Sequence, residues 1–179
     1  MIVKAIFAGF GGQGVLMMGY TFAYAAMMEG YQVTYLPSYG AEVRGGAANC
    51  TVAVGDEEIA SPIASEPEYL VIMNKPSLLT FQNRITHGGT VFLNTSLVDI
   101  RPARNDVVVH EIPLAEIAES IGVPRGQNLI MLGAFVRKTG LVSLETCLKA
   151  IEERLKGKRG AAWENNRRAF MAGYEWGFK

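Results

Sequence analysis

Apolar positions along this chain follow two periods, and the changes between them mark its elements. Residues 2–8 form a short apolar run with β-branched members, ended by Gly9, which predicts a buried strand. Residues 15–29 carry Ala, Met, Leu and Tyr without proline and stop at Gly30, the pattern of a helix with a glycine end. Residues 31–36, rich in Tyr, Val and Thr, read as the next strand. Strand, glycine turn, helix, strand is how a parallel α/β sheet begins. Residues 49–54 alternate as a strand, with Gly55-Asp56 as a turn and 57–60 as a hairpin partner.

The second half continues the alternation. Strands are predicted at 69–73, 90–94 and 107–111. Asn74 is placed to cap a helix over 76–85, with Pro76 in its first turn. A helix follows Pro113, where Leu114, Ile117, Ala118 and Ile121 share one face. Residues 129–136 are apolar nearly all round, which predicts a helix buried on more than one side. Ser143 caps the next helix, and a last one runs from about 161 to 176. In that last helix Trp163, Phe170 and Tyr174 share a face, expected to pack on the chain's own sheet, with docking of part of it on a partner as the alternative.

Composition narrows the classes. The chain has 179 residues, suited to one α/β domain spanning 1–179, and an apolar fraction of 49%. Lys+Arg and Asp+Glu both number 17, so the net charge is zero and no footprint for nucleic acid is present. No apolar run reaches the roughly 18 residues of a membrane span, and the N-terminus does not read as a signal peptide. A cytoplasmic location is expected. The two cysteines, Cys50 and Cys147, read as free buried thiols. An iron–sulfur cluster needs about four ligands, more than this pair supplies. His87 and His110 are too few and too scattered for a metal site.

Two segments carry candidate chemistry. Gly9-Phe10-Gly11-Gly12-Gln13-Gly14 fits G-x-G-x-x-G between a strand and a helix. There the backbone can approach a ligand and a helix N-terminus offers free N–H groups to a phosphate. A dinucleotide would also need an acid at the end of the second strand, which instead reads Thr34-Tyr35-Leu36-Pro37. Three readings stay open: glycines serving only close packing, a phosphate-bearing ligand other than a dinucleotide, or a partner chain. The second segment runs from Pro37 to Gly46 and crowds Ser38, Tyr39, Glu42 and Arg44 among glycines. Arg44 could clamp a phosphate or carboxylate, with Glu42 orienting it. Against this stands a plain surface loop with a weak Glu–Arg pair. No nucleophile elbow and no P-loop lysine occur.

These segments resemble a known family. Gly11-Gly12-Gln13-Gly14-Val15, the stretch from Pro37-Ser38-Tyr39-Gly40-Ala41-Glu42-Val43-Arg44-Gly45-Gly46 through Ala48-Asn49-Cys50-Thr51-Val52, and Met73-Asn74-Lys75-Pro76-Ser77 are similar to gamma subunits of 2-oxoacid:ferredoxin oxidoreductases. The version here is most similar to chains of 2-oxoisovalerate or 2-oxoglutarate enzymes, and less so to the small subunit of indolepyruvate oxidoreductase. The resemblance implies a three-layer α/β/α Rossmann-like fold with a mostly parallel sheet. It implies a helper chain without redox centre in a complex that converts a 2-oxoacid to an acyl-CoA and reduces ferredoxin. Alpha and beta subunits, with or without a delta subunit, would be its partners. They would carry thiamine diphosphate and 4Fe–4S clusters. Coenzyme A would touch this chain at Gly9, Gly11, Gly12, Gln13, Gly14, Ser38, Tyr39, Glu42 and Arg44. The rival reading is a free-standing Rossmann-type nucleotide-binding or regulatory module. Isolated, the chain is expected to self-associate as a homo-oligomer through 129–136 or its partner-facing loop.

Overall fold

A computed structural model describes residues 1–39, 46–156 and 160–177. In chain order the elements are β1 (Ile2–Phe10), α1 (Val15–Met28), β2 (Gln32–Tyr39), β3 (Ala47–Gly55), β4 (Tyr69–Ile72), α2 (Lys75–Phe81), β5 (Thr90–Asn94), β6 (Val108–Ile112), α3 (Leu114–Ser120), α4 (Gln127–Thr139), α5 (Leu144–Arg154) and α6 (Ala161–Tyr174). The strands form one sheet in the order β2-β3-β1-β4-β5-β6. β1 pairs parallel with β4, β4 with β5, and β5 with β6. β3 alone runs against its neighbours, antiparallel to both β1 and β2. The sheet is therefore mostly parallel, as expected.

β1 sits in the middle because both of its faces are apolar. Ala5 and Phe7 feed a core shared with α1, α3, α4, α5 and α6. Ile6 and Ala8 feed a second core shared with α2. Helices thus cover both faces, unequally. The hub of the larger core is Phe135 on α4. Its ring lies 5.3 Å from Phe7, 5.0 Å from Phe22, 5.7 Å from Tyr69 and 5.3 Å from Phe92, mostly edge to face.

Local signals placed several elements correctly. Asn74 caps α2, accepting the Ser77 backbone N–H at 3.0 Å. Ser143 caps α5 by accepting the Thr146 N–H at 3.1 Å. Both cysteines are free and buried, and burial pushes each thiol up to about 12.

Four expectations change. The strand predicted over 31–36 continues through Pro37 and Ser38 to Tyr39. β2 is an edge strand, so a proline without an N–H costs no ladder bond on its open side. Residues 57–60 form no strand; β2 and β1 already occupy both edges of β3, leaving none for a local hairpin. The last helix packs on α4 and not on the sheet. Gly133 and Gly173 let the two backbones touch: a Cβ on Gly133 would lie 2.8 Å from the Tyr174 nitrogen, and one on Gly173 2.6 Å from the Ile130 carbonyl carbon. Covered by α6 outside and the sheet inside, residues 129–136 are all buried. That removes them as a surface for self-association.

Two outcomes follow from this packing. Phe135→Ala should cost about 3–5 kcal/mol in urea denaturation, and Gly133→Val about 3 kcal/mol or more through the helix clash. Cys50 and Cys147 should resist a disulfide-exchange reagent in the native chain and react fully once urea unfolds it.

Candidate functional site

The carboxyl ends of β1, β4 and β5 meet at one rim, where open parallel sheets place their ligands. The glycine turn follows β1 there. Gly12 has φ 99° and Gly14 φ 74°, left-handed values that a side chain would strain. Gly14 is also the N-cap of α1, and no side chain caps that helix or puts an acid in its first turn. Its first N–H groups therefore remain open to a ligand.

Gln13 holds this turn in place. Its Oε1 accepts the Phe10 N–H at 2.7 Å, and its Nε2 donates to the Met73 carbonyl at 3.3 Å. Asn94, fully buried at the end of β5, donates to the same carbonyl at 3.1 Å. Three strand ends are thus tied at Met73. Gly9 has no Cβ because Gln13 Oε1 would lie 2.5 Å from it. The Gly11 N–H donates to the Gly46 carbonyl at 2.8 Å, tying the turn to the start of β3.

Beside the turn lies a cavity of about 480 Å³, bordered by Gly12, Gly14, Met73, Leu97, Arg125 and Asn128. The last two come from the start of α4. The Asn128 amide lies against Gly14, its Cγ only 2.8 Å from where a Cβ would be. α4 begins at an uncapped Gly126 with no acid in its first turn. Arg125 is exposed and has no hydrogen-bond or ion-pair partner among the described residues. Two helix starts and one unpaired guanidinium therefore border one cavity, an arrangement that favours an anion.

Of the sequence candidates, Gly12, Gln13 and Gly14 border this cavity, while Gly9 and Gly11 support it from behind. Ser38 does not border it; Ser38 and Tyr39 sit on β2, whose backbone is separated from β1 by β3. That interposed strand also removes the neighbour from which a dinucleotide site would take its ribose-binding acid. Glu42 and Arg44 lie outside the described residues. Arg125, Gln127 and Asn128 were not singled out from sequence. A cation just before a helix N-terminus works against the helix dipole, and Arg125-Gly126 was a readable signal of that kind.

Among the described residues no group of three or more His, Cys, Asp or Glu is placed to hold a metal ion. No helix of the structure is long and apolar enough to cross a membrane. Gln13→Leu should destabilise by about 1–3 kcal/mol, since the Phe10 N–H and one arm at Met73 lose their partner. Gln13→Glu, which keeps the acceptor, should retain part of that in the same urea titration.

Comparison with known proteins agrees with the fold. Residues 4–176 match the family described as pyruvate ferredoxin/flavodoxin oxidoreductase. The chain is 37% identical over 176 residues to the ketoisovalerate oxidoreductase subunit VorA of Methanothermobacter thermautotrophicus, covering 97% of this chain and 36% of that protein. The chain thus spans little more than a third of that relative's length. It is 36% identical over 172 residues to the 2-oxoglutarate synthase subunit KorC of Methanocaldococcus jannaschii, covering 94% and 90%. The crystal structure of a keto/oxoacid ferredoxin oxidoreductase gamma subunit from Geobacter sulfurreducens superposes with a TM-score of 0.82 at 28% identity, covering 97% and 96%. The chain belongs to the pyruvate ferredoxin/flavodoxin oxidoreductase family.

Proposed function

We propose that this chain is the gamma-type subunit of a 2-oxoacid:ferredoxin oxidoreductase, acting as a single domain over 1–179 within a cytoplasmic complex. The observation that carries the reading is the family match over residues 4–176. The complex would decarboxylate a 2-oxoacid, pass the electrons to ferredoxin and release an acyl-CoA. Alpha and beta subunits, with or without a delta subunit, would hold thiamine diphosphate and the 4Fe–4S clusters. This chain's own groups suit neither task. Its two cysteines are separately buried and stay protonated, whereas a cluster is held by about four thiolates.

What the chain offers is an anion-binding rim, and coenzyme A is the reactant whose phosphates suit it. Coenzyme A supplies the thiol that carries the acyl group away. Gly12 has open space where a Cβ would stand, so a phosphate can approach the backbone. Arg125 supplies a positive charge to the cavity and Asn128 a neutral amide beside Gly14. Gln13 keeps the turn from collapsing by fixing it to Met73. The rival, a free-standing nucleotide-binding module, would use the same rim without partner subunits.

Tagged purification from the native cell separates the two readings. Thiamine-binding and iron–sulfur chains should come along; a chain recovered alone favours the free-standing module. In the assembled complex, Arg125→Glu and Arg44→Glu should each raise the KM for coenzyme A by about tenfold or more, the scale of a lost charge-assisted contact. Turnover with the 2-oxoacid and a viologen acceptor should persist at saturating coenzyme A. An unchanged KM in both variants would remove coenzyme A from this rim. The chain expressed alone should reduce no viologen with any 2-oxoacid, because decarboxylation needs an electron sink that these side chains lack.

A further inference from the structure

The sheet ends at β2, and that edge is neutral along its length. β2 runs for eight residues and holds no charged one. Its register with β3 is unbroken, so no bulge bends it. Edge strands of soluble proteins are ordinarily blunted by charges, bulges or prolines. Here Pro37 stands near one end. Hydrogen-bond direction shows which backbone groups point outward. The Ala8 carbonyl accepts the Met73 N–H on the β4 side, so Phe7 turns its backbone groups toward β3. Phe7 opposes Cys50, and Cys50 opposes Pro37. Alternation then turns the backbone groups of Pro37 and Val33 away from β3. The proline has no donor to lose there, while Val33 presents an N–H and a C=O that have no partner among the described residues.

Beside that edge α1 exposes a neutral aromatic stripe. Tyr20, Tyr24 and Met27 fall at i, i+4 and i+7, one face of the helix. Tyr20 is 42% exposed and Met27 53%. The Tyr20 ring lies 6.2 Å from Tyr24, stacked, and 5.7 Å from Tyr35 on β2, edge to face, so stripe and strand form one surface. Tyr31, just before β2, adds another exposed ring. Three flanking charges are engaged within the chain. Glu29 accepts the Ser143 N–H at 2.7 Å, Glu153 accepts the Tyr24 hydroxyl at 2.6 Å, and the Arg154 guanidinium lies over the Tyr20 ring at 5.4 Å. Tyrosine and methionine are enriched at the buried centres of protein interfaces.

Neutrality and symmetry identify the occupant. About a two-fold axis a surface meets itself, so a charge near the axis would face its own copy. A neutral surface closes without that repulsion. A strand edge also complements itself in antiparallel pairing, because the same N–H and C=O groups recur on both sides. The strand spans roughly 26 Å and, with the helix beside it, about 15 Å across, so two copies would bury on the order of 1,000 Å², the scale of a specific contact. We propose that two copies of this chain associate through this face, β2 pairing antiparallel with β2 of the second copy and the α1 stripes packing across the axis. None of Tyr20, Tyr24, Met27, Tyr31 and Val33 borders the glycine-turn cavity, so the contact stands whether or not coenzyme A binds there.

Analytical ultracentrifugation of the full-length chain through the micromolar range should show a monomer–dimer equilibrium. Met27→Glu sets two carboxylates against each other and should weaken the dimer about tenfold or more, with the circular dichroism of wild type. Leu79→Glu should leave the dimer intact: Leu79 is also 53% exposed but sits on α2, across the sheet. Mixing Met27→Glu with Met27→Lys should restore a mixed dimer. A chain that stays monomeric throughout would overturn the proposal, as would a dimer that Met27→Glu leaves untouched or that Leu79→Glu weakens equally. If the wild-type chain is monomeric and tagged Met27→Glu loses the other subunits on purification from the native cell, a partner chain holds the stripe and the second copy is excluded.

Discussion

The aromatic cluster around Phe135 is the contact on which the rest depends. One ring on α4 touches β1 through Phe7, α1 through Phe22, β4 through Tyr69 and β5 through Phe92. Edge-to-face geometry makes these contacts directional, so α4 has one rotation that satisfies them together. That rotation also decides where α4 begins. Its first turn brings Asn128 against Gly14 and Arg125 to the border of the glycine-turn cavity. On the outer side, the touching backbones at Gly133 and Gly173 let α6 close over the helix. The placement of α4 thus brings Arg125 to the rim.

The rim itself combines stiffness with open donors. Gln13 and Asn94 converge on the Met73 carbonyl and fix three strand ends to one another. The uncapped start of α1 and the unpaired Arg125 are left facing the cavity. Groups held this way need little rearrangement to meet a ligand, which lowers the entropic cost of binding.

Membership of the family places this fold beside redox enzymes while its own side chains remain redox-silent. The cysteines are spread over β3 and α5 and each is desolvated, which keeps the thiols protonated. The division of labour proposed above follows from that chemistry. Partners would supply electron transfer, and this chain would supply a shaped, anion-tolerant wall.

Local sequence was enough to determine most of the elements. The apolar run of β1, the caps at Asn74 and Ser143 and the all-round apolar stretch of α4 each carry a signal that near neighbours alone create. The glycine turn was legible for the same reason, since left-handed backbone at Gly12 and Gly14 leaves a mark in the residue type. The family, too, was readable from ordered motifs. Tertiary structure decided what depends on strand order and on distant contacts. β3 inserts between β2 and β1, which moves Ser38 and Tyr39 away from the glycine turn, and pairing across a sheet is not written in either strand alone. Arg125 and Asn128 reach the turn from more than a hundred residues along the chain, carried there by the packing of Phe135. No local period encodes such a meeting, because long-range packing, not propensity, sets where a buried helix begins and which wall it forms.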